Sequence, residues 1–305
     1  MQDQLKTSAN EWTILDIIKW TTSYFQTHDI DNPRAAAEIL LAHALKSDRI
    51  DLYMRYDQPL SEKELALFKA LVKRRIAREP IAYIVGIKGF WLMDIAVTKD
   101  VLIPRPETEH LVETALSLLP INSALDSCNI PKRILELGTG SGAIICALAL
   151  HRPEHIFIAS DRSIKAVELA EKNAKHHNLN KKIMFFSGDW FMPLKEDTHL
   201  FDMIISNPPY INTRLINKLQ PEISMYEPVM ALDGGKDGLC RLRHIISGAH
   251  TYLKPGGSLL LEIGHDQKED ISRIVDSCGH YEQVVFTKDY SGHYRVVQMK
   301  RLINC

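Results

Sequence analysis

The sequence predicts an α/β protein with an all-helical bundle in front of a largely parallel sheet. Three observations carry that reading. Residues 11–81 show helical periodicity and no convincing strand; from Arg133 onward short apolar runs alternate with helical stretches; and those runs are aliphatic enough to be buried on both faces, as strands of a parallel sheet are. The chain of 305 residues has room for two domains and a large core. We divide it into a helical domain (1–82), a hairpin, Pro-Arg-Pro segment and linker helix (83–132), and a sheet domain (133–305).

Composition narrows the classes of function. Thirty-seven basic side chains against 38 acidic ones leave a formal net charge of −1, so nothing advertises a nucleic-acid or membrane surface. Cys128, Cys146, Cys240, Cys278 and Cys305 are scattered, odd in number and form no C-x-x-C pair, which points to a reducing cytoplasm. Cys146 lies in an apolar helical run and reads as a small core residue. No basic-then-apolar leader opens the chain, and the longest apolar run, 143–150, is far too short to cross a bilayer. No H-E-x-x-H or other metal-ligand spacing occurs, so no metal is expected.

In the helical domain Trp12, Leu15, Ile18 and Trp20 recur at helix-like spacing. Asn32-Pro33 supplies a cap and a proline at the first helical position. Ser61 and Glu64 have the form of a capping box for a helix carrying Leu65, Leu67, Phe68, Leu71 and Val72. That helix ends in Lys73, Arg74, Arg75 and Arg78, read as a solvated face that suits the C-terminal dipole. Between Tyr83 and Val101, β-branched and aromatic residues broken by Gly86 and Gly89 read as hairpin strands. Pro104 and Pro106 then hold Arg105 in an extended segment, and Glu107, Thr108 and Glu109 suit a helix start running to about Leu118. A polar connector follows at 121–132.

The sheet domain opens with a strand at residues 133–137, the loop Gly138-Thr139-Gly140-Ser141-Gly142 and a helix at 143–151. Glycines there let backbone approach a ligand at a helix N-terminus without a Cβ intervening. The loop satisfies both G-x-G-x-x-G/A, through Ala143, and the tighter E-x-G-x-G-x-G form starting at Glu136, so a nicotinamide dehydrogenase stays open at this point. The next strand, 156–159, delivers Asp161, 23 residues after Gly138, where an acid accepts both ribose hydroxyls of a nucleoside. A third strand leads to Gly188-Asp189-Trp190, an acid and an indole suited to flank a purine.

A fourth apolar run, Phe201-Asp202-Met203-Ile204-Ile205, delivers Ser206-Asn207-Pro208-Pro209-Tyr210 to the edge of the sheet where ligands bind in open α/β folds. Each proline stiffens the residue before it. Asn207 then offers a side-chain acceptor, Pro208 a carbonyl and Tyr210 a flat ring, a set suited to a planar –NH2 group. Past Tyr210 come an amphipathic stretch to Glu227-Pro228, Ala231-Leu232-Asp233-Gly234-Gly235, and a helix from about Gly238. Lys254-Pro255-Gly256-Gly257 reads as a turn before a strand at 258–263. Two more strands joined by Asp289-Tyr290-Ser291-Gly292 close the sheet as an antiparallel pair.

Taken together, Glu136 to Gly142, Asp161, Gly188-Asp189-Trp190, Asn207 to Tyr210, Ile103 to Glu109 and Ala231 to Gly235 resemble a class I S-adenosylmethionine-dependent methyltransferase with a Rossmann-like sheet. More closely the chain resembles the N5-glutamine methyltransferases of peptide chain release factors, over nearly its full length. The resemblance implies that Glu136, Gly138, Thr139, Gly140, Ser141 and Gly142 serve the methionine portion of S-adenosyl-L-methionine. Asp161 would hold the ribose, Trp190 and Asp189 the adenine. It implies that Asn207, the Pro208 carbonyl and Tyr210 act on a glutamine amide, with Pro209 and Arg105 also at the substrate. The helical domain would dock the release factor, whose Gly-Gly-Gln loop enters the catalytic domain. The protein is expected to act as a monomer without direct nucleic acid or membrane. Two alternatives remain: an adenine-amino methyltransferase and a non-catalytic module binding a translation factor.

Overall fold

The computed structural model of the chain describes residues 12–119, 130–196 and 200–303. Outside the described residues lie most of the connector expected at 121–132, the N-terminal stretch read for a leader, and Cys128 and Cys305. The chain divides into two compact units: residues to Gly86 with Pro221–Tyr226, and Ile87–Gln220 with Glu227–Cys305.

The helical unit contains α1 (Ile14–Gln26), α2 (Pro33–Leu45), α3 (Arg49–Met54), α4 (Glu62–Ile76) and α5 (Ile81–Val85). Reciprocal capping boxes open α1, between Thr13 and Asp16, and α4, between Ser61 and Glu64. The cap expected from Asn32 takes another form: its side chain makes no capping bond and its backbone is left-handed at φ 49°, while Pro33 occupies the first helical turn. The buried stripe of α1 is Ile14, Ile17, Ile18 and Phe25; Trp12 and Trp20 stay half exposed.

In the second unit a hairpin of β1 (Ile87–Phe90) and β2 (Met93–Ala96) precedes α6 (Glu109–Leu118). Strands and helices then alternate through β3 (Arg133–Leu137), α7 (Ala143–His151), β4 (Ile156–Asp161), α8 (Ile164–His176), β5 (Ile183–Ser187) and β6 (Phe201–Ser206). They continue through α9 (Pro221–Ser224), which belongs to the helical unit, α10 (Cys240–Ala249), β7 (Leu253–Glu262), α11 (Lys268–Cys278), β8 (Tyr281–Lys288) and β9 (Tyr294–Arg301). Seven strands form one sheet in the order β5-β4-β3-β6-β7-β9-β8. Pairing is parallel from β5 to β7, and β9 runs antiparallel to both its neighbours. Leu135, Leu137, Ile204, Leu259 and Leu261 are fully buried, as the unbroken apolar runs require.

The chain works outward from β3 to β5 and then returns to β6 on the other side of β3. That reversal makes the crevice between the ends of β3 and β6 the natural ligand site. Ser206 Oγ donates to Leu137 O at 2.7 Å and ties the two strand ends together. The expected turn at Lys254-Pro255-Gly256-Gly257 lies instead inside β7, as an irregularity: Phe201 pairs with Leu253, and the next partner, Met203, pairs with Ser258.

One expectation is corrected in the helical unit. Arg75 is not solvated but 5% exposed, its Nη2 2.8 Å from Glu222 in α9, and Arg78 Nε lies 3.3 Å from the same carboxylate. A buried cation tied to an acid 147 positions away leaves no trace in local sequence pattern. Removing the acid strands the guanidinium, so Glu222→Ala is expected to cost the helical unit about 3–5 kcal/mol, read as an earlier urea transition by far-UV circular dichroism.

Candidate active site

β3 ends in the glycine loop because only backbone with positive φ turns this tightly into α7: Gly138, Gly140 and Gly142 sit at 70°, 54° and 79°. A Cβ on Gly142 would stand 2.9 Å from the Cβ of Ala170 in α8, so the loop also needs the missing side chain for packing. Asp161, at the end of β4, braces the loop, its carboxylate accepting from Gly140 N at 2.9 Å and Ser163 N at 2.8 Å. Burial nevertheless raises its pKa. Thr139 Oγ1 donates to Glu136 Oε2 at 2.5 Å, while Glu136 Oε1 is buried with no hydrogen-bond partner. Burial pushes the Glu136 carboxyl up to about 8.

A cleft open to solvent runs along this loop. Among its walls are Glu136, Gly138, Thr139, Gly140, Ser141, Asp161, Asp189 and Trp190, and also Arg105, Asn207 and Pro209. Gly142 lies behind the wall, against α8. Trp190 both lines the cleft and packs on the sheet core, facing Gly138. Pro208 and Tyr210 are not part of the lining.

Asn207 Nδ2 donates to Thr108 Oγ1 at 3.1 Å, and both residues line the cleft. Tyr210 is anchored rather than free: its phenol donates to Glu262 Oε1 at 3.1 Å, its carbonyl accepts from Gln267 Nε2 at 3.1 Å, and burial raises its pKa. The stretch Ala231 to Gly235 backs the same loop, through Ile211 N to Leu232 O and Gly234 N to Ile211 O. Gly234 is required there, since a Cβ would fall 2.8 Å from the Tyr210 backbone. Arg105 Nη2 donates to Glu227 Oε1 at 2.6 Å, and Ile103 N to Glu227 Oε2 at 3.4 Å. Glu227 is 4% exposed, and burial raises its pKa against the pull of Arg105.

Thr108, Glu227 and Glu262 were not singled out by sequence reasoning. Glu262 had a usable signal: like Glu136 it is the one acid of its strand and sits within an aliphatic run, an arrangement costly enough to need a purpose. Outside the cleft lining, His250, Cys278 and His280 bring their ligand atoms within 4.8 Å of one another, a cluster invisible as spacing. The two imidazoles stack at 3.7 Å with planes 12° apart, so no single ion lies in both ring planes.

Comparison with known proteins follows the same division. Residues 16–86 match the family described as the PrmC N-terminal domain, and residues 117–221 match the methyltransferase small domain. The release factor glutamine methyltransferase of Geobacter sulfurreducens is 41% identical, across 94% of this chain and 96% of that protein. The chain belongs to the release factor glutamine methyltransferase family. The member from Coxiella burnetii is 42% identical, across 88% of this chain and 92% of its own. Family membership removes the dehydrogenase alternative. In fold alone, the chain is similar to a methyltransferase from Pyrococcus furiosus (TM-score 0.51, 21% identity, 77% of this chain and 98% of that one). It is also similar to the human methyltransferase 10 domain containing protein (TM-score 0.51, 16% identity, 70% and 90%).

The raised Glu136 pKa has a testable sign. An unfolded glutamate ionises near 4.5 and the folded one near 8, so between those values the folded state holds the extra proton and loses stability as pH rises. Urea midpoints of the ligand-free protein are expected to fall from about pH 5 to about pH 8, and Glu136→Gln to flatten that slope.

Proposed function

We propose that this chain methylates the side-chain amide nitrogen of the glutamine in the Gly-Gly-Gln loop of peptide chain release factors. The donor is S-adenosyl-L-methionine and the by-product S-adenosyl-L-homocysteine. One observation carries the chemistry: Asn207 lines the cleft with its nitrogen end bonded to Thr108, and we assign its oxygen to the substrate amide. The names of the relatives, matched at 41% and 42% identity, supply the amide's identity. The helical unit is assigned to docking the release factor, and the reaction to the cytoplasm, where translation ends. No described helix is long and apolar enough to cross a membrane.

The donor fits what the cleft offers. A sulfonium compound that also carries an ammonium group suits a wall holding an unpartnered carboxylate oxygen on Glu136. Residues 138–142, Asp161, Asp189 and Trp190 would hold it, with Glu136 turned to its positive end. When bound, it supplies a methyl already activated for transfer. The chain's own task is placement, because an amide nitrogen with a delocalised lone pair attacks poorly. Asn207 Oδ1 and the Pro208 carbonyl accept the two amide hydrogens and stabilise the positive charge that grows on nitrogen, each such contact being worth about 3–4 kcal/mol in a closed site. Pro209 and the anchored Tyr210 keep that pair stiff, and Arg105 forms part of the adjoining wall. No base has to act first; the surplus proton leaves nitrogen for solvent after transfer.

Mass spectrometry of a purified release factor, incubated with the protein and S-adenosyl-L-methionine, is expected to show a gain of one methyl on the loop glutamine. Labelling of adenine in DNA or RNA but not of the release factor would transfer the assignment to an adenine-amino methyltransferase. A melting temperature indifferent to S-adenosyl-L-methionine would favour a non-catalytic module. Asn207→Ala is expected to lower kcat by about 10²–10³ while calorimetry finds cofactor affinity little changed.

A further inference from the structure

We infer that Gln267 is a positioning residue for methyl transfer: its side chain fixes the far end of the 207–210 loop, and with it the placement of the acceptors offered to the substrate amide. The inference deepens the glutamine reading and rests on it. Gln267, 8% exposed, is the N-cap residue of α11, shortly after the end of β7. Its amide reaches backbone in three separate stretches of chain. Nε2 donates to Tyr210 O at 3.1 Å and to Gly238 O at 3.2 Å, and Oε1 accepts from Gly264 N at 2.8 Å.

Those three partners leave the amide one orientation. Its two N–H groups each meet a carbonyl and its oxygen meets an N–H, so every bond joins a donor to an acceptor. A flipped amide would set its oxygen against two carbonyls and its nitrogen against a donor. The side chain is therefore a clip of fixed length and direction, with one end on the exit of β7 and the other on Tyr210.

The loop needs such a clip because it can do little to fasten itself. Pro208 and Pro209 bring no N–H, so neither has a backbone donor to tie it down. The near end is secured by Ser206 Oγ on Leu137 O and by Asn207 Nδ2 on Thr108 Oγ1. At the far end the Tyr210 carbonyl sits in a close socket: a Cβ on Gly238 would fall 2.6 Å from Tyr210 O and 3.0 Å from Gln267 Nε2. Gly238 also has φ 76°, which a side chain would strain. The two prolines between the ends are stiff, so a shift of Tyr210 passes to the Pro208 carbonyl instead of being absorbed. None of the three partners of Gln267 belongs to the wall assigned to the cofactor, at 138–142, Asp161, Asp189 and Trp190. Loss of the clip is thus expected to disturb placement of the amide and spare the cofactor.

The test compares the wild-type enzyme, on a purified release factor, with Gln267→Met, similar in length but lacking the amide, and Gln267→Asn, whose amide stops a methylene short. Melting curves fix a temperature at which each variant is folded, and calorimetry there gives its S-adenosyl-L-methionine affinity. Gln267→Met is expected to lose about 10²-fold in kcat, the scale of a small misplacement at a reacting group, with KM for the release factor and cofactor affinity nearly unchanged. General loosening would not give that split. Gln267→Asn should lose turnover in the same manner, and it decides alone should Gln267→Met not fold. Near-normal kcat in a folded variant, or cofactor affinity falling together with kcat, would overturn the inference. Crystal structures of wild type and variant without substrate give a reading independent of turnover. A displaced Pro208 carbonyl is expected, and a 207–210 loop that superposes on the wild-type one would sink the idea even if kcat falls. A wild-type enzyme inert toward the release factor would instead count against the function proposed above.

Discussion

The parallel pairing of β3 with β6, locked by the bond from Ser206 Oγ to Leu137 O, is the constraint from which the site is built. Leu137 and Ser206 lie opposite each other in register, so the glycine loop and the Asn207 loop leave the sheet at the same level. A slip of one residue would send every side chain of β6 to the other face and aim Asn207 away from the cleft. Both loops inherit their geometry from a strand whose flanks are fully buried. Little freedom remains for them to adjust after binding.

Around that crevice the protein gathers acids that it can hardly hydrate. Glu136, Asp161, Glu227 and Glu262 all have raised pKa values, and in each the largest cause is burial. Such an arrangement opposes stability, and an amide or apolar residue in each place would fold more cheaply. It makes sense for a reaction in which positive charge enters with the donor and then appears on the acceptor nitrogen. Carboxylates in a region poor in water act on that charge without having to reorganise first.

What could be read from the sequence follows from range. The strand runs, the glycine loop, the hairpins and the Ser61–Glu64 capping box are local patterns, and the structure repeats them, with β7 beginning five residues before the strand expected at 258. Cleft residues at strand ends were legible for the same reason, since Asp161 and Asn207 sit at the carboxyl edge of apolar runs. Misreadings arose where a distant partner decides. Arg75 is buried because Glu222 meets it, and Tyr210 is fastened because Glu262 lies in a strand that begins 43 residues later in the chain. Thr108 stood inside a segment already noted, but its role depends on Asn207, 99 positions on, and no spacing rule connects them.

The chain leaves the sheet unit at Gln220, contributes six residues to the helical unit, and returns at Glu227. Tyr226 bonds the Ala77 carbonyl, and its covalent neighbour Glu227 holds Arg105. The protein is consequently not modular in the genetic sense. A truncation after Gly86 would not free an autonomous catalytic half, for it would carry away the cationic seat of Glu222 and leave Pro221–Tyr226 as a loose insert joined directly to the residue that fixes the cleft wall. Swapping helical units between relatives would have to transplant that insert as well.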